Sequence, residues 1–324
     1  MGHPSLLELP VERVLRRLVR RQLAAAARGL ERAQDPDDHK GLHAFRVAIR
    51  RLRSLLHAYR RWLGRAAGKK PRRRLRQLTR VTNAARDAHV QLTWLAAEAV
   101  SLEPEDQPGL AWMRKHLRSR QRGFNRSTRA QLTRDVVRAA KLLTRRLGEM
   151  KDSDETVFRS AFGEVFMPAA DRFRLRLAAI AGSGDYKNIH RTRIQLKRLR
   201  YVVEPLRRVL EEARAVDRRL RRLQTFLGKL HDIQVIEAEL AAGIEAAAAE
   251  KARRMHELAV EGETRRLEQL RRRDEGLGLL VLAGRARAQR DELYQTFDEE
   301  WLADRAYALD GELLALSEAL RRDR

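Results

Sequence analysis

The sequence predicts an all-α protein built from two antiparallel four-helix bundles that are related by pseudo-twofold symmetry. Almost every segment consists of Ala, Leu, Arg and Glu, with apolar residues three or four positions apart, as on amphipathic helices. Aromatic residues make up only 5% of the chain, and no stretch alternates like a β-strand. The second half also repeats the pattern of the first, which predicts an internal duplication of a multi-helix unit.

The duplication is clearest in two basic motifs, "HAFRVAIRRLR" at 43–53 and "HRTRIQLKRLR" at 190–200, which are 147 residues apart. The apolar stripe of the preceding helix repeats at the same offset: Val11, Leu15, Leu18, Val19 and Leu30 align with Phe158, Phe162, Val165, Phe166 and Leu177. Beyond the motif the offset shortens to 145 and aligns 75–90 with 220–235. We therefore expect one domain, 1–324, made of repeats 5–150 and 155–320, with an extended helical segment near 236–276 in the second.

Loop-forming residues place the ends of the helices. Breaks are predicted at 33–41, 64–71, 102–109, 148–155, 180–188 and 272–278, where Gly, Pro, Asp, Asn and Ser concentrate. Asp38 and Asp185 stand just before the basic motifs, where an aspartate side chain can cap free backbone N–H groups. Each basic motif is thus expected to open a helix.

The charge balance indicates an acidic partner. The 324-residue chain has 69 Lys and Arg against 44 Asp and Glu, a formal charge of +25, and a hydrophobic fraction of 43% that is too high for a disordered polycation. The absence of cysteine excludes disulfides and thiolate chemistry and fits a reducing compartment. The start of the chain lacks the apolar run of a signal peptide, and no segment is apolar enough to span a membrane. We expect a soluble cytoplasmic protein; its oligomeric state is left open.

Each basic motif forms one stripe of a helix. His43, Arg46, Arg50, Arg53 and His57 fall within an arc of about 80°, because each residue of a helix advances about 100°. Their opposite face carries the residues expected in the core: Phe45, Ala48, Leu52, Leu55, Leu56, Tyr59 and Leu63. In the repeat, His190, Arg193, Lys197 and Arg200 form the same stripe, backed by Leu196, Leu199, Val202, Val203 and Leu206.

The helix after each motif adds a second basic row. Arg73, Arg76 and Arg80 share one face, and Arg218 and Arg221 are counterparts in the repeat. An ordinary solvated face mixes charges of both signs, yet residues 39–81 contain no Asp or Glu. Arginine forks spaced about 5.4 Å apart along a helix suit a string of phosphates better than one compact phosphate. The rows therefore favour a linear polyanion as ligand.

Other chemistry has weaker support. His39 and His43 have the spacing of a helical metal pair, but no third or fourth ligand accompanies them, so no metal is predicted. Asp87 and Asp232 are lone acids, for which a salt bridge that orients arginines is favoured over acid/base catalysis. The sequence contains no phosphate-cradling glycine loop, nucleophile elbow or carboxylate cluster for Mg²⁺. We expect no cofactor and no enzymatic activity.

The two motifs, with "KRLRYVVEPL" and "LGKLHDIQV" after the second, resemble the CHAD (conserved histidine α-helical domain) family over the whole chain. The resemblance implies paired four-helix bundles with a basic central cavity or pore that binds inorganic polyphosphate, and in some members localisation to polyphosphate granules. It assigns the site to His43, Arg46, Arg50, Arg51, Arg53, His190, Arg193, Lys197, Arg198 and Arg200, with a second tier of Arg73, Arg76, Arg80, Arg218 and Arg221. The strand-rich triphosphate tunnel domain that many members carry at their N-terminus, with its E-x-E-x-K motif, has no counterpart in this sequence. A stand-alone binding module is implied.

Four functions fit a chain of this charge. Polyphosphate binding is favoured, and a nucleic-acid-binding protein that contacts the phosphate backbone is the alternative. Base readout needs amide or aromatic side chains among the arginines, and the stripes offer little beyond Asn83. An enzyme acting on polyphosphate and a membrane-surface protein rank lower, the latter because the apolar helix faces are committed to bundle cores.

Overall fold

The computed structural model describes residues 5–35, 38–121, 126–152, 156–272 and 274–322, and it confirms the all-α class. The α-helices of these residues are α1 (Val11–Arg32), α2 (His39–Ala58), α3 (Arg60–Leu63), α4 (Lys69–Val81), α5 (Asn83–Glu98), α6 (Gln107–Gln121), α7 (Arg126–Gly148), α8 (Phe158–Ala178), α9 (Tyr186–Val203), α10 (Glu211–Val260), α11 (Thr264–Arg272), α12 (Glu275–Phe297) and α13 (Arg305–Arg322). Short 3₁₀ segments follow α3, α5 and α9, and a π-helical segment, Asp298–Asp304, precedes α13. The described residues contain no β-strand, only one isolated bridge.

The six predicted breaks coincide with helix ends among the described residues; positions 36–37, 153–155 and 273 of these breaks lie outside the described part of the chain. Both predicted caps are confirmed as well. The Asp38 side chain accepts a hydrogen bond from the Gly41 backbone N–H at 2.9 Å, and Asp185 accepts one from Asn188 at 3.1 Å. The two caps therefore fix equivalent starting points for α2 and α9, and with them the register of the two basic stripes.

The first compact unit comprises Met1–Asn83, Asn125–Gly228 and Phe297–Arg324. In it α1 packs on α2 and α8 packs on α9, the pairs that the duplication predicts to be equivalent. The isolated bridge joins Pro10 to Val157, residues that are themselves 147 apart. Helix α2 also packs against both α4 and α9, which brings the helices of the two basic motifs into direct contact.

The close crossing of α1 and α2 depends on a glycine. A Cβ atom at Gly29 would lie 2.5 Å from the backbone N of Phe45, a separation that the two helices could not accept without moving apart. The apolar faces predicted for α2 and α9 are buried, including Phe45, Leu52, Leu196 and Leu199. Burial of these faces leaves the basic stripes partly or fully exposed, with the exception of Arg200, which is buried.

The second compact unit comprises Ala84–Phe124 and Lys229–Thr296. Its core is a cluster of buried apolar residues: Leu95, Leu102, Leu110, Met113, Leu117, Ile233, Ile236, Leu240, Ala247, Leu279, Leu282 and Ala286. The predicted extension 236–276 lies here, in α10, α11 and the start of α12. Each compact unit takes segments from both predicted repeats, and the division into repeats 5–150 and 155–320 stays a prediction about the sequence. None of the described helices is long and apolar enough to cross a membrane.

Candidate anion-binding site

Arg53 lies at the centre of a group of cations in the first compact unit. Its side chain is half-buried, and burial together with the charges of Arg76, Arg198 and Arg50 lowers the pKa of the guanidinium. Among the described residues, the Arg53 side chain donates one hydrogen bond, to the neutral Thr79 hydroxyl at 3.3 Å. The structure thus brings together cations from both basic motifs and from the second basic row.

Arg198, from the second motif, extends this group to α8. Burial and the neighbouring Arg172 lower the pKa of the Arg198 guanidinium. Arg172 was not predicted as a site residue, and its counterpart at the offset of 147 is Ala25. We refer to Arg50, Arg53, Arg76, Arg172 and Arg198 as the arginine cluster. None of the five forms an ion pair with a described residue.

His57, one helical turn beyond Arg53, faces the same charges. Partial burial lowers the pKa of its imidazole, and Arg198, Arg60, Arg72 and Arg172 lower it further. In the second motif, burial followed by the charges of Arg193 and Lys197 lowers the pKa of His190. Both imidazoles therefore favour the neutral form in the absence of an anion.

The remaining predicted residues of the first stripe are held in part by neutral partners. Arg46 donates hydrogen bonds to the Thr82 hydroxyl at 2.7 Å and to the Asn83 side-chain oxygen at 3.1 Å. His43 is exposed in the first turns of α2.

In the second basic row, Arg73, Arg76 and Arg80 are exposed while Leu75 and Leu78 of the same helix are buried, as the periodicity predicts.

Two predicted site residues are tied to buried carboxylates instead. Arg51 forms an ion pair with Glu204, whose side chain is 8% exposed. Arg200 is 5% exposed; it lies 3.5 Å from Asp217 and donates to the Gln224 side-chain oxygen at 2.7 Å. The structure does not bring Arg200 to the surface that the arginine cluster occupies, because its guanidinium is enclosed with its partners.

Arg218 and Arg221 lie at the surface but are also paired. The Arg221 Nε donates to Asp217 at 2.8 Å, and Arg218 lies 3.7 Å from Glu211. Glu204 and Asp217 thus organise arginines from α2, α9 and α10, a role that sequence reasoning missed. Both occupy positions where the first half of the chain has a basic residue: Glu204 aligns with His57 and Asp217 with Arg72. The change from a basic to an acidic residue at these two aligned positions was the sequence signal that could have indicated this role.

In the second compact unit, the salt-bridge interpretation of Asp87 and Asp232 is confirmed. Arg86 donates to Asp87 at 3.1 Å and to both oxygens of Asp232 at 2.9 and 3.0 Å. Burial acts to lower the pKa of Arg86, but the two carboxylates outweigh it and raise the pKa above its ordinary value. In the part of the chain that the structure describes, no three His, Asp or Glu side chains are grouped so that they could hold a metal ion.

These features define a helical protein in which arginines of α2, α4, α8 and α9 lie close together without an ion pair to any described carboxylate. The chain belongs to the CHAD domain family, whose pattern matches residues 13–241. It is similar to the crystal structure of the CHAD domain from the plant Ricinus communis, with a TM-score of 0.61, 19% identity, and 95% of this chain and 93% of that chain covered. It is also similar to PptA from Streptomyces chartreusis, with a TM-score of 0.60, 18% identity, and 91% and 100% covered. No curated protein sequence matches the chain significantly.

Proposed function

We propose that this protein binds inorganic polyphosphate through the arginine cluster and the flanking basic rows of α2, α4 and α9, without enzymatic action on it. The observation that carries the proposal is the half-buried Arg53, which is surrounded by Arg50, Arg76 and Arg198 and has no carboxylate partner among the described residues. Uncompensated like charges at short range destabilise a folded protein. An anion bound among them removes that repulsion.

The distribution of the cations supports an extended ligand. They lie on four helices, α2, α4, α8 and α9, and on α2 they recur at one-turn intervals of about 5.4 Å. Each guanidinium can donate two parallel hydrogen bonds to phosphate oxygens. A polymer of identical charged units satisfies such a surface along its length, whereas a single phosphate would leave most of it uncompensated.

The surroundings of the cluster favour a ligand without bases. The side-chain oxygens of Asn83 and Gln195 already accept hydrogen bonds from Arg46 and Arg198. Phe45, Tyr59 and Tyr201 are buried and offer no face on which a base could stack. These observations rank polyphosphate above nucleic acid. The resemblance to CHAD proteins supports the same ligand and extends the proposal to residence at polyphosphate granules.

The test is a competition experiment. We expect long-chain polyphosphate to stay bound in the presence of excess duplex DNA or single-stranded RNA at a fixed salt concentration, since salt alone weakens all three complexes. Efficient displacement by either nucleic acid would contradict the proposal. Release of orthophosphate from the polymer in the presence of Mg²⁺ would contradict its non-enzymatic part.

A charge-reversed variant tests the site itself. Arg50→Glu combined with Lys197→Glu removes one cation from each basic motif, and we expect loss of binding by at least about 100-fold with helix content unchanged. The matched control is Arg271→Glu with Arg272→Glu on the exposed helix α11, which changes net charge equally. Equal weakening by both variants would mean that net charge, not this surface, decides binding.

A further inference from the structure

Helix α12 of the second compact unit is apolar on two opposite faces. One face is part of the buried core cluster of that unit. On the other face, Leu277 is 59% exposed, Leu280 is 55% exposed and Val281 is 38% exposed. Gly284 and Ala288 are also exposed and continue this face, because residues three, four, seven and eleven positions apart share one side of a helix. We refer to these five residues as the α12 apolar stripe.

The packing of α12 holds this stripe toward solvent. A Cβ atom at Gly278 would lie 2.2 Å from the backbone oxygen of Asp106. One at Gly109 would lie 2.6 Å from the backbone oxygen of Glu275. Backbones in such close contact fix the rotation of the helix, and a rotation that buried the stripe would break both contacts. The exposure of the stripe is therefore a property of the packed unit.

The second compact unit is also electrically neutral. Its two segments contain 18 Lys and Arg and 18 Asp and Glu, so the formal charge of +25 belongs entirely to the first compact unit. An acidic partner would be attracted to the first unit, whereas two copies of this chain repel each other through their first units. The stripe thus lies in the unit through which a second copy meets the least electrostatic repulsion.

The order of residue sizes makes the stripe complementary to itself in an antiparallel pair. Leu277 and Leu280 are at its N-terminal end, and the small residues Gly284 and Ala288 are at its C-terminal end. About a twofold axis level with the Leu280–Val281 peptide, Leu277 of one copy lies opposite Gly284 of the other, since both are equally far from the axis. A Cβ atom at Gly284 would meet nothing within 4 Å, so the position is open to a facing leucine. Leu280 and Val281 meet their own counterparts at the centre.

We infer that the α12 apolar stripe is the interface of a homodimer, in which two copies of the chain pair antiparallel through α12. Such a contact uses the same surface on both copies and closes at two. Three helical turns cover less than the about 1,200 Å² that a stable standard interface buries, so the dimer should dissociate at micromolar concentrations. The inference does not rest on the proposed function, because the stripe shares no residue with α2, α4, α8 or α9.

The first test is sedimentation velocity of the full chain over a range of concentrations, without any polyanion. We expect a monomer–dimer equilibrium that Leu280→Glu weakens about tenfold or more, because two carboxylates would meet at the centre of an apolar contact. The matched control is Leu314→Glu, at a leucine of α13 in the first compact unit that is 54% exposed. Helix content should be unchanged in both variants, since neither side chain is in a core.

The control variant should dimerise like the parent protein. A parent chain that stays monomeric at all concentrations would leave the stripe to a partner of another kind and would overturn the inference. Equal weakening of the dimer by Leu280→Glu and Leu314→Glu would overturn it as well, because the loss would then come from charge and not from the stripe.

Salt separates this contact from an electrostatic one. Higher salt screens the repulsion between two copies of charge +25 and leaves an apolar contact intact, so the dimer should strengthen as salt is raised. Dissociation of the dimer by salt would contradict the inference. Polyanion binding weakens with salt, so a failure of the proposed function appears in a different measurement from a failure of the dimer.

Disulfide cross-linking tests the arrangement of the two helices, because the chain has no cysteine of its own. Leu280→Cys should form a linked dimer with itself under mild oxidation. Leu277→Cys should not, since its two copies would lie about 10 Å apart along the helix axis, but it should link to Gly284→Cys when the two variants are mixed. Efficient self-linking of Leu277→Cys, or no link in the mixture, would refute the antiparallel pair.

Discussion

The two basic motifs share a histidine and three arginines at equivalent positions, but the structure uses these residues differently. Arg53 of the first motif lies among Arg50, Arg76 and Arg198, whereas its counterpart Arg200 is enclosed with Asp217. For the counterparts Arg51 and Arg198 the pairing is reversed. Arg51 of the first motif is paired with Glu204, whereas Arg198 of the second motif lies beside Arg172. In the first motif, Arg50 and Arg53 have no ion pair with a described residue, whereas Arg51 has one. In the second motif, Arg198 has none, whereas Arg200 lies beside a carboxylate.

The difference originates at two positions outside the motifs. The second repeat has Glu204 and Asp217 where the first has His57 and Arg72. Glu204 and Asp217 form a structural ion-pair network with Arg51 and Arg200, whereas the arginine cluster has no carboxylate among the described residues to compensate its repulsion. A repeated binding motif therefore does not imply two equal binding surfaces, because residues around the motif decide which arginines stay available.

The variant with the largest expected effect on stability disrupts this ion-pair network. Asp217→Asn removes the carboxylate beside the buried Arg200, and we expect a loss of about 3 kcal/mol in the free energy of unfolding, since an uncompensated charge is left in the interior. The matched change in the first repeat is Arg72→Gln, which relieves repulsion around His57 and should change stability by less than about 0.5 kcal/mol. Denaturant unfolding of both variants measures the contrast, and equal destabilisation would refute it.

A smaller effect is expected on polyphosphate affinity, in which the equivalent residues Arg53 and Arg200 should differ. Arg53→Gln should weaken polyphosphate binding about tenfold while it preserves or raises stability, because it removes both a phosphate contact and a repelling charge. Arg200→Gln should lower stability with little change in affinity, because the guanidinium is only 5% exposed. Binding isotherms and melting curves on the same samples test the pair. The reverse pattern would show that the buried member is the ligand contact.

The smallest expected effect depends on pH. The pKa of His57 is lowered in the free protein, and a bound phosphate would raise it, so binding should be accompanied by proton uptake and should strengthen as the pH falls below the ordinary value of 6.5. His57→Gln should reduce this dependence, and His57→Gln with His190→Gln should reduce it further. Calorimetry in buffers of different ionisation enthalpy measures the uptake. No proton uptake by the parent protein would contradict a role for these imidazoles near the anion.

The free protein should show the opposite trend in stability. Because the folded-state pKa of His57 lies below the ordinary value of 6.5, the unfolded chain binds its proton first as the pH falls. The contribution of this group to stability is therefore fully present above the ordinary value and is lost as the pH falls through the folded-state pKa. Bound polyphosphate should reduce or reverse this loss.

Much of the fold was determined by local sequence. Apolar periodicity placed the helices, the turn residues located six of the breaks, and Asp38 and Asp185 fixed the starts of α2 and α9. The same periodicity separated the basic stripes from the buried faces. These properties depend on neighbours within one or two helical turns, so they can be read directly from the chain.

Which cations remain without a carboxylate was decided only by the tertiary structure. Arg172 has Ala25 at its counterpart position, and Arg208 comes from a loop to which the periodicity assigned no role. Arg51 meets Glu204 across 153 positions of the sequence, which no local pattern encodes. Charge interactions act through space over several ångströms, so the arrangement of helices, and not the order of residues, determines where the positive charge of this protein is left open to an anion.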